Sequence, residues 1–248
     1  MTDKFIVSHP TGNTFVRALI QNLHSEKKLE SFFTTIGIGD NSILRVFKIN
    51  RRNYDIPKDL IKSHPVREII RLFNFLSKKH FKKRLATDEV YFSLDSYVAR
   101  NLIQSKAKFL HTYEDCALRS FKEAKKLGIG CSYELPIAHW AITRRLLSEE
   151  SERLPEWKPT LESTYESEEK LVRKNAELEM ADKITCPSQF VLESIPIEIR
   201  RKTPCQVIPF GSPKCEKFNF DISKNKKSIF KLLFVGSMTQ RKGLADIF

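Results

Sequence analysis

The sequence predicts an α/β fold, a parallel sheet flanked by helices, and three observations carry that prediction. Short apolar runs alternate with segments of helical period along most of the chain. Several runs end in glycine or a polar turn that leads into the next helix. With 248 residues, 41% of them hydrophobic and 29% charged, the chain can bury one substantial core, or one domain and the start of another.

In order, KFIVS at residues 4–8 reads as a strand, HPTGNT as a loop, and TFVRALIQNLH as a helix with Phe15, Leu19 and Leu23 on one side. SFFTTIGIG from Ser31 reads as the second strand. A less regular stretch follows, with a helix in VREIIRLFNFLSKKHF whose Val66, Ile69, Ile70, Phe73 and Leu76 share one face. Then come SLDSYVARNLIQS as helix, AKFLHTY as strand, CALRSFKEAKKLG as a helix capped by Asp115 and stopped at Gly128, and IGCSYEL as strand. Residues 139–180 read as helical and acidic, broken at LPEWKPTL. DKITCPS returns to strand, Ser188 caps QFVLESI, and QVIPFG is one more strand.

Residues 1–211 are thus expected to form one domain and the polar stretch 212–227 a linker. Residues 228–248 hold a strand, KLLFVG, and the start of a helix, KGLADIF. One strand and half a helix cannot bury enough apolar surface to offset their ordering, so a second domain is expected to be cut short at Phe248.

No run approaches the roughly 20 apolar residues that span a bilayer, and MTDKFIVSHPTG has no long apolar segment. The five cysteines are scattered without a CxxC pair, which suggests neither a disulfide framework nor a zinc site. A cytoplasmic protein is expected. The net charge of +13 is concentrated between Arg45 and Arg84, where thirteen Lys/Arg face three acids. That stretch carries no recognisable nucleic-acid module, so the expected partner of residues 45–84 is an anionic membrane on its inner face, with no nucleic acid. A solvated helix end is the plainer alternative.

Three segments in this order resemble glycosyltransferase family 4, whose members place two Rossmann-like domains face to face in the GT-B architecture. The first is HPTGNTFVRAL, similar to the family's glycine-containing loop after the first strand. The resemblance puts Gly12 and Asn13 near the donor diphosphate and the acceptor, at a helix N-terminus that favours anions. Only one of the family's usual paired glycines is present, and an ordinary turn would also fit. The second is EMADKITCPSQF with CQVIPFGSP, from which Gly211 is carried over; Phe210 stands where relatives often have asparagine. The third is FVGSMTQRKGL, similar to the opening of the family's donor-binding domain, with Gly236 and Lys242 at matching positions. Ser237 replaces the family's arginine, so Arg241 is the substitute cation beside Lys242 for a departing diphosphate.

His111, at the end of a predicted parallel strand, matches a family histidine near the transferred sugar, with Glu114 or Asp115 as orienting partners. Glu134, ending the next strand, is a second candidate. A histidine in a strand is as readily structural. The resemblance implies transfer of a sugar from a UDP- or GDP-sugar to a glycan or glycolipid hydroxyl in polysaccharide or glycolipid synthesis, with no metal or cofactor. The truncated chain alone is expected to transfer poorly.

Two rivals remain. GIGDNS from Gly37 imitates a dinucleotide fingerprint and would make the protein a nicotinamide-dependent oxidoreductase, but Ser42 stands at the third glycine. A non-catalytic acceptor- or membrane-binding fragment is the other. Glu169 and Glu177 have the spacing of the family's donor-binding glutamate pair, yet they precede the linker and lie roughly 80° apart around a helix, so chance explains them better.

Overall fold

The computed structural model describes residues 3–40, 52–76, 86–161, 166–211 and 232–247. Seven strands form one parallel sheet: β1 (Phe5–Ser8), β2 (Leu29–Thr34), β5 (Ile61–Ser63), β6 (Phe109–Tyr113), β7 (Gly130–Glu134), β8 (Lys183–Cys186) and β9 (Cys205–Val207). Their order is β5-β2-β1-β6-β7-β8-β9, with every neighbouring pair parallel. A separate parallel pair joins β3 (Ile38–Asp40) to β4 (Asn53–Pro57). The chain builds outward from β1 to one edge, then returns to β6 and builds to the other. This is a doubly wound, Rossmann-like α/β fold whose order reverses between β1 and β6.

Parallel strands are buried on both faces, and β1 shows it: Ile6 and Val7 point opposite ways and are 1% and 0% exposed. Ile6 joins a core with Leu110, Tyr133 and Ile184, packed by Leu94 and Val98 of α3 (Thr87–Leu102) and Phe121 of α4 (Leu118–Lys126). Val7 joins the opposite core with Phe32 and Tyr54, packed by Val16 and Ile20 of α1 (Thr14–Ser25). Gly128 ends α4 in the left-handed conformation at φ +69°, which only glycine adopts without strain.

Four expectations are corrected. SFFTTIGIG is two strands, because Thr35–Gly37 turn the chain out of the main sheet before β3. Asp115 does not cap α4; it stands at φ +66°, and Ala117 occupies the cap position. The cap comes from remote carboxylates: Glu177 of α6 (Glu168–Met180) accepts from the Ala117 and Leu118 N–H groups, and Asp95 of α3 from those of Arg119 and Ser120. The apolar stripe of α2 (Val66–Leu76) faces outward, with Val66, Ile69, Ile70 and Phe73 exposed, while Glu68 is 2% exposed. Finally, Leu232–Val235 form no strand, and Leu232, Leu233 and Val235 are exposed; a strand needs a paired neighbour to satisfy its backbone. The linker 212–227 and the basic run Lys78–Arg84 lie outside the described residues.

The chain divides into two compact units. The first takes Met1–His139 and Ser167–Pro209 and holds the seven-stranded sheet with α6, α7 (Gln189–Ser194) and α8 (Ile197–Lys202). The second takes Trp140–Glu166 and Phe210–Phe248. It contains α5 (Trp140–Arg153), a 3-10 turn at Pro155–Thr160, and two more at Gln240–Lys242 and Leu244–Ile247. Gln240 organises it: its side-chain amide donates to Glu150 and Asp246 and accepts from the Ala245 N–H, while Arg153 bonds both carboxylates. No helix among the described residues is long and apolar enough to cross a membrane.

Candidate functional site

In a doubly wound sheet the loops on either side of the order reversal, here between β1 and β6, leave to opposite faces, and ligands are taken at the carboxyl ends of those strands. Two histidines lie in this region. His9, the first residue past β1, is 1% exposed and lies against the Tyr113 ring, with centroids 4.4 Å apart. His111, on β6, contacts Ser132 Oγ through Nδ1 at 2.9 Å and Glu134 Oε2 through Nε2 at 3.5 Å. Register explains this contact: His111 pairs with Ser132 on β7, and Glu134 is the next residue on the same face.

The loop after β1 is closely held. The Thr11 N–H donates to His9 Nδ1 at 3.1 Å, and Asn13 Nδ2 lies 3.2 Å from His9 Nε2. Asn13 also caps α1, its Oδ1 accepting from the Val16 N–H at 2.8 Å. A neutral imidazole has one lone pair and cannot accept from both groups, so the proton position on His9 and the orientation of Asn13 are linked. Gly12 is required by packing: a Cβ there would overlap the Tyr54 ring, 2.7 Å from Cζ. Arg17 reaches back to the Gly12 carbonyl at 3.1 Å and lies over Tyr54. Arg52 ties this loop to its neighbours, donating to the Pro10 carbonyl and Thr35 Oγ1, and pairs with Glu68 on α2.

Burial pushes the His9 imidazole down to about 4, against the opposing charge of Glu134, so the ring is neutral at pH 7. Burial would raise Glu134, but its hydrogen bond to His111 and the nearby histidines outweigh that and hold it below the usual carboxylate range. Glu134 is therefore an ionised carboxylate in a mostly enclosed place, beside two imidazoles. Burial also raises the Tyr113 phenol, which stays protonated and able to donate. Such a set can accept a proton from a hydroxyl or hold a sugar by its hydroxyl groups.

Gly12, Asn13, His111 and Glu134, taken from the sequence, therefore fall at one edge of one sheet. Glu114 and Asp115 do not orient His111; they pair with Lys174, and Asp115 also with Lys170. Gly211 is exposed at the end of the described segment. Gly236, Arg241 and Lys242 belong to the second unit and are exposed there, the two cations just before Gly243 at φ +68°. Sequence reasoning missed His9, Tyr113 and Arg52; the available signal was a histidine immediately after the first strand. Ser8 and Thr112, paired in register across the reversal point, are also buried there, with no hydrogen-bond partner for either hydroxyl among the described residues.

The other motifs resolve as structure. Gly39 of GIGDNS lies inside β3, where a Cβ would come within 2.7 Å of the Lys58 Cα, so that glycine faces protein backbone. Glu169 is exposed, whereas Glu177 is fully buried. A cavity of about 530 Å³ beside Arg200, Arg201 and Cys205 opens where β9 begins, at the edge opposite the histidines. No group of three His, Cys, Asp or Glu among the described residues could hold a metal ion.

Fold and site together define a doubly wound α/β protein with a cluster of polar side chains at its reversal point. No protein-family model matches the chain, and a search of curated proteins gives no match. Solved structures give distant likenesses. TcCGT1 in complex with UDP is 12% identical with a TM-score of 0.44, over 90% of this chain and 55% of that one. A UDP-glucosyltransferase from Polygonum tinctorium capable of glucosylating indoxyl is 12% identical with a TM-score of 0.38, over 85% and 53%. The UDP-GlcNAc 2-epimerase from Methanocaldococcus jannaschii is 11% identical with a TM-score of 0.40, over 84% and 45%. The chain spans about half the length of these structures.

Proposed function

We propose that this chain is the acceptor-side part of a nucleotide-sugar-dependent glycosyltransferase of the family 4 kind, moving a sugar from a UDP- or GDP-sugar to a hydroxyl of a glycan or glycolipid. The observation that supports it most is the contact between His111 and an ionised Glu134, beside buried neutral His9, at the carboxyl edge of the sheet. Breaking a glycosidic bond to phosphate and forming one to an acceptor oxygen requires the acceptor proton to leave and the diphosphate charge to be met. In this reading His111 and Glu134 hold the sugar and the acceptor hydroxyl. The backbone at Gly12 and Asn13 approaches the diphosphate at the α1 N-terminus. Gly211 and Gly236 let the chain pass close to the donor, and Arg241 and Lys242 neutralise the leaving group. No metal has a step in this scheme.

The test is transfer by the whole protein from a panel of labelled UDP- and GDP-sugars to lipid and polysaccharide extracts, with the Glu134→Gln variant in parallel. The reading predicts label in an acceptor with one donor, and loss of transfer in the variant. Absence of transfer from every donor, together with tight NAD(P)H binding, would replace it with the oxidoreductase reading.

A further inference from the structure

Strand β1 is buried on both faces, but the four strands beyond the reversal point are not. Along β6, β7, β8 and β9 burial alternates residue by residue. Leu110, Cys131, Tyr133 and Ile184 point into the core that α3, α4, α6 and α7 pack. The residues between them join neither hydrophobic core. Register sets these in rows across the sheet: Tyr113 beside Glu134, Glu134 beside Thr185, and Thr185 beside Gln206, with His111, Ser132 and Lys183 as the row before. Parallel strands covered on both faces read as continuous apolar runs. These strands alternate with period two, and their second face carries hydroxyl, amide and charged groups. Exposure grades along it. The Glu134 and His111 side chains are mostly enclosed, Thr185 is half-buried, and Lys183 and Gln206 on the outer strands are exposed.

We infer that this polar face holds an oligosaccharide, which runs from His111 and Glu134 across β7 and β8 to Gln206, with its reacting sugar at the enclosed end. Neighbouring strands lie about 4.8 Å apart, so β6 to β9 offers a track of about 14 Å. Its chemistry is that of a neutral glycan. The Tyr113 phenol, the Ser132 and Thr185 hydroxyls and the Gln206 amide donate and accept as sugar hydroxyls do, and the two charges, Glu134 and Lys183, are opposite in sign. An apolar partner would find only Phe109 at the start of β6 and Ile208 beyond β9, and would leave the polar groups between them unpaired. The inference rests on the transfer reading for what the bound glycan is used for. It narrows that reading to an acceptor recognised through several sugar units.

The test is binding of the whole protein, with no nucleotide sugar present, to an array of neutral and acidic oligosaccharides one to five units long. Retention of a neutral series is expected, tightening with length and insensitive to salt. Gln206→Ala is expected to weaken the longest bound member by about tenfold and to leave the monosaccharide unchanged. Gln206→Trp, which blocks the track with a bulky ring, should have the same effect. Both variants should keep the wild-type circular dichroism, since Gln206 is exposed. Binding that does not grow with length, or that both variants leave intact, would overturn the inference. So would retention of acidic chains alone, lost as salt is raised, or of no glycan at all. A Gln206→Cys variant with no more reactive thiols than the wild type would show that the chain covers its own face, and would overturn it too. Glycan binding without transfer from any donor would keep this inference and remove the transfer reading. Transfer to a single sugar, with no gain from longer acceptors, would do the reverse.

Discussion

The carboxylate of Glu177 accepts a hydrogen bond from the backbone N–H of Asp115 at 2.9 Å, across 62 residues of sequence and at a turn where Asp115 adopts φ +66°. That turn follows β6 directly, so a residue deep in α6 fixes the loop that starts beside His111 and Tyr113. The same carboxylate accepts from Ala117, Leu118 and the Tyr133 hydroxyl. Arg173, one turn earlier on α6, hydrogen-bonds Asp95 and forms an ion pair with Glu177 under the face of Phe92. Two carboxyl groups and one guanidinium thus replace the local cap that α4 lacks; burial pushes Glu177 up to about 8, against the pull of Arg173 and the Ala117 N–H.

Glu177→Ala is expected to destabilise the protein by about 3 kcal/mol, because it strands buried N–H groups and half-unpairs a buried guanidinium. Urea unfolding monitored by circular dichroism measures this. Asp95→Ala should cost a similar amount. The double variant should cost less than the sum, because Arg173 loses the same environment in both. Strict additivity would show that the two carboxylates act separately.

Stability should also depend on pH through His9. Its folded value of about 4 lies below the ordinary 6.5, so between those values the unfolded chain binds a proton that the folded chain refuses. The His9 contribution is therefore complete above about pH 6.5 and falls as the pH drops toward 4, by about 3 kcal/mol, whereas Glu177, pushed up to about 8 by burial, contributes in the opposite direction and loses its contribution as the pH rises through that value. Replacing His9 by Asn, which keeps a hydrogen-bond acceptor, should remove the His9 part of the slope. Urea midpoints at several pH values, compared between the two proteins, provide the check; an unchanged slope would mean that His9 is solvated.

Much of the sheet was legible because its strands are continuous apolar runs and its helices have clear period, as in FIVS and TFVRALIQNLH. Glu134 could be placed at its strand end on that basis alone, whereas His111, expected at a strand end, stands in the middle of β6. Features that depend on partners far along the chain were not legible. Asp115 has the right residue type and position for a cap, and nothing local announces that Glu177 performs that role. A helix such as α2 reads identically whether its apolar face points in or out; only burial of Glu68 between Arg52 and Arg71 decides it. KLLFVG reads as a strand by composition, but a strand exists only with a neighbour to pair with.

In the proposed transfer reaction, Glu134→Gln is expected to lower kcat by roughly a hundredfold or more, the usual contribution of a positioned acid or base. His111→Asn should cause a comparable loss. If the two act as a unit, the double variant will be scarcely worse than either single one. A fall in kcat/KM caused by KM alone would make the pair a binding contact. Steady-state kinetics on the three variants distinguishes these outcomes.

Gly12 offers a test that separates packing from ligand approach. Gly12→Ala places a methyl group against the Tyr54 ring, in a core that also holds Phe32, which stands 4.8 Å from the same ring in an edge contact. Overpacking of this kind costs about 1–3 kcal/mol. Tyr54→Phe removes the hydroxyl that the new methyl would meet first, so Gly12→Ala/Tyr54→Phe should recover part of the loss in thermal stability. If glycine is there only for packing, activity will recover with stability in the double variant. If the backbone at Gly12 also approaches a diphosphate, stability will return while KM for the nucleotide sugar stays raised, because the methyl group still lies in the ligand's path. Thermal melts and donor KM, measured on the same two variants, decide between these roles.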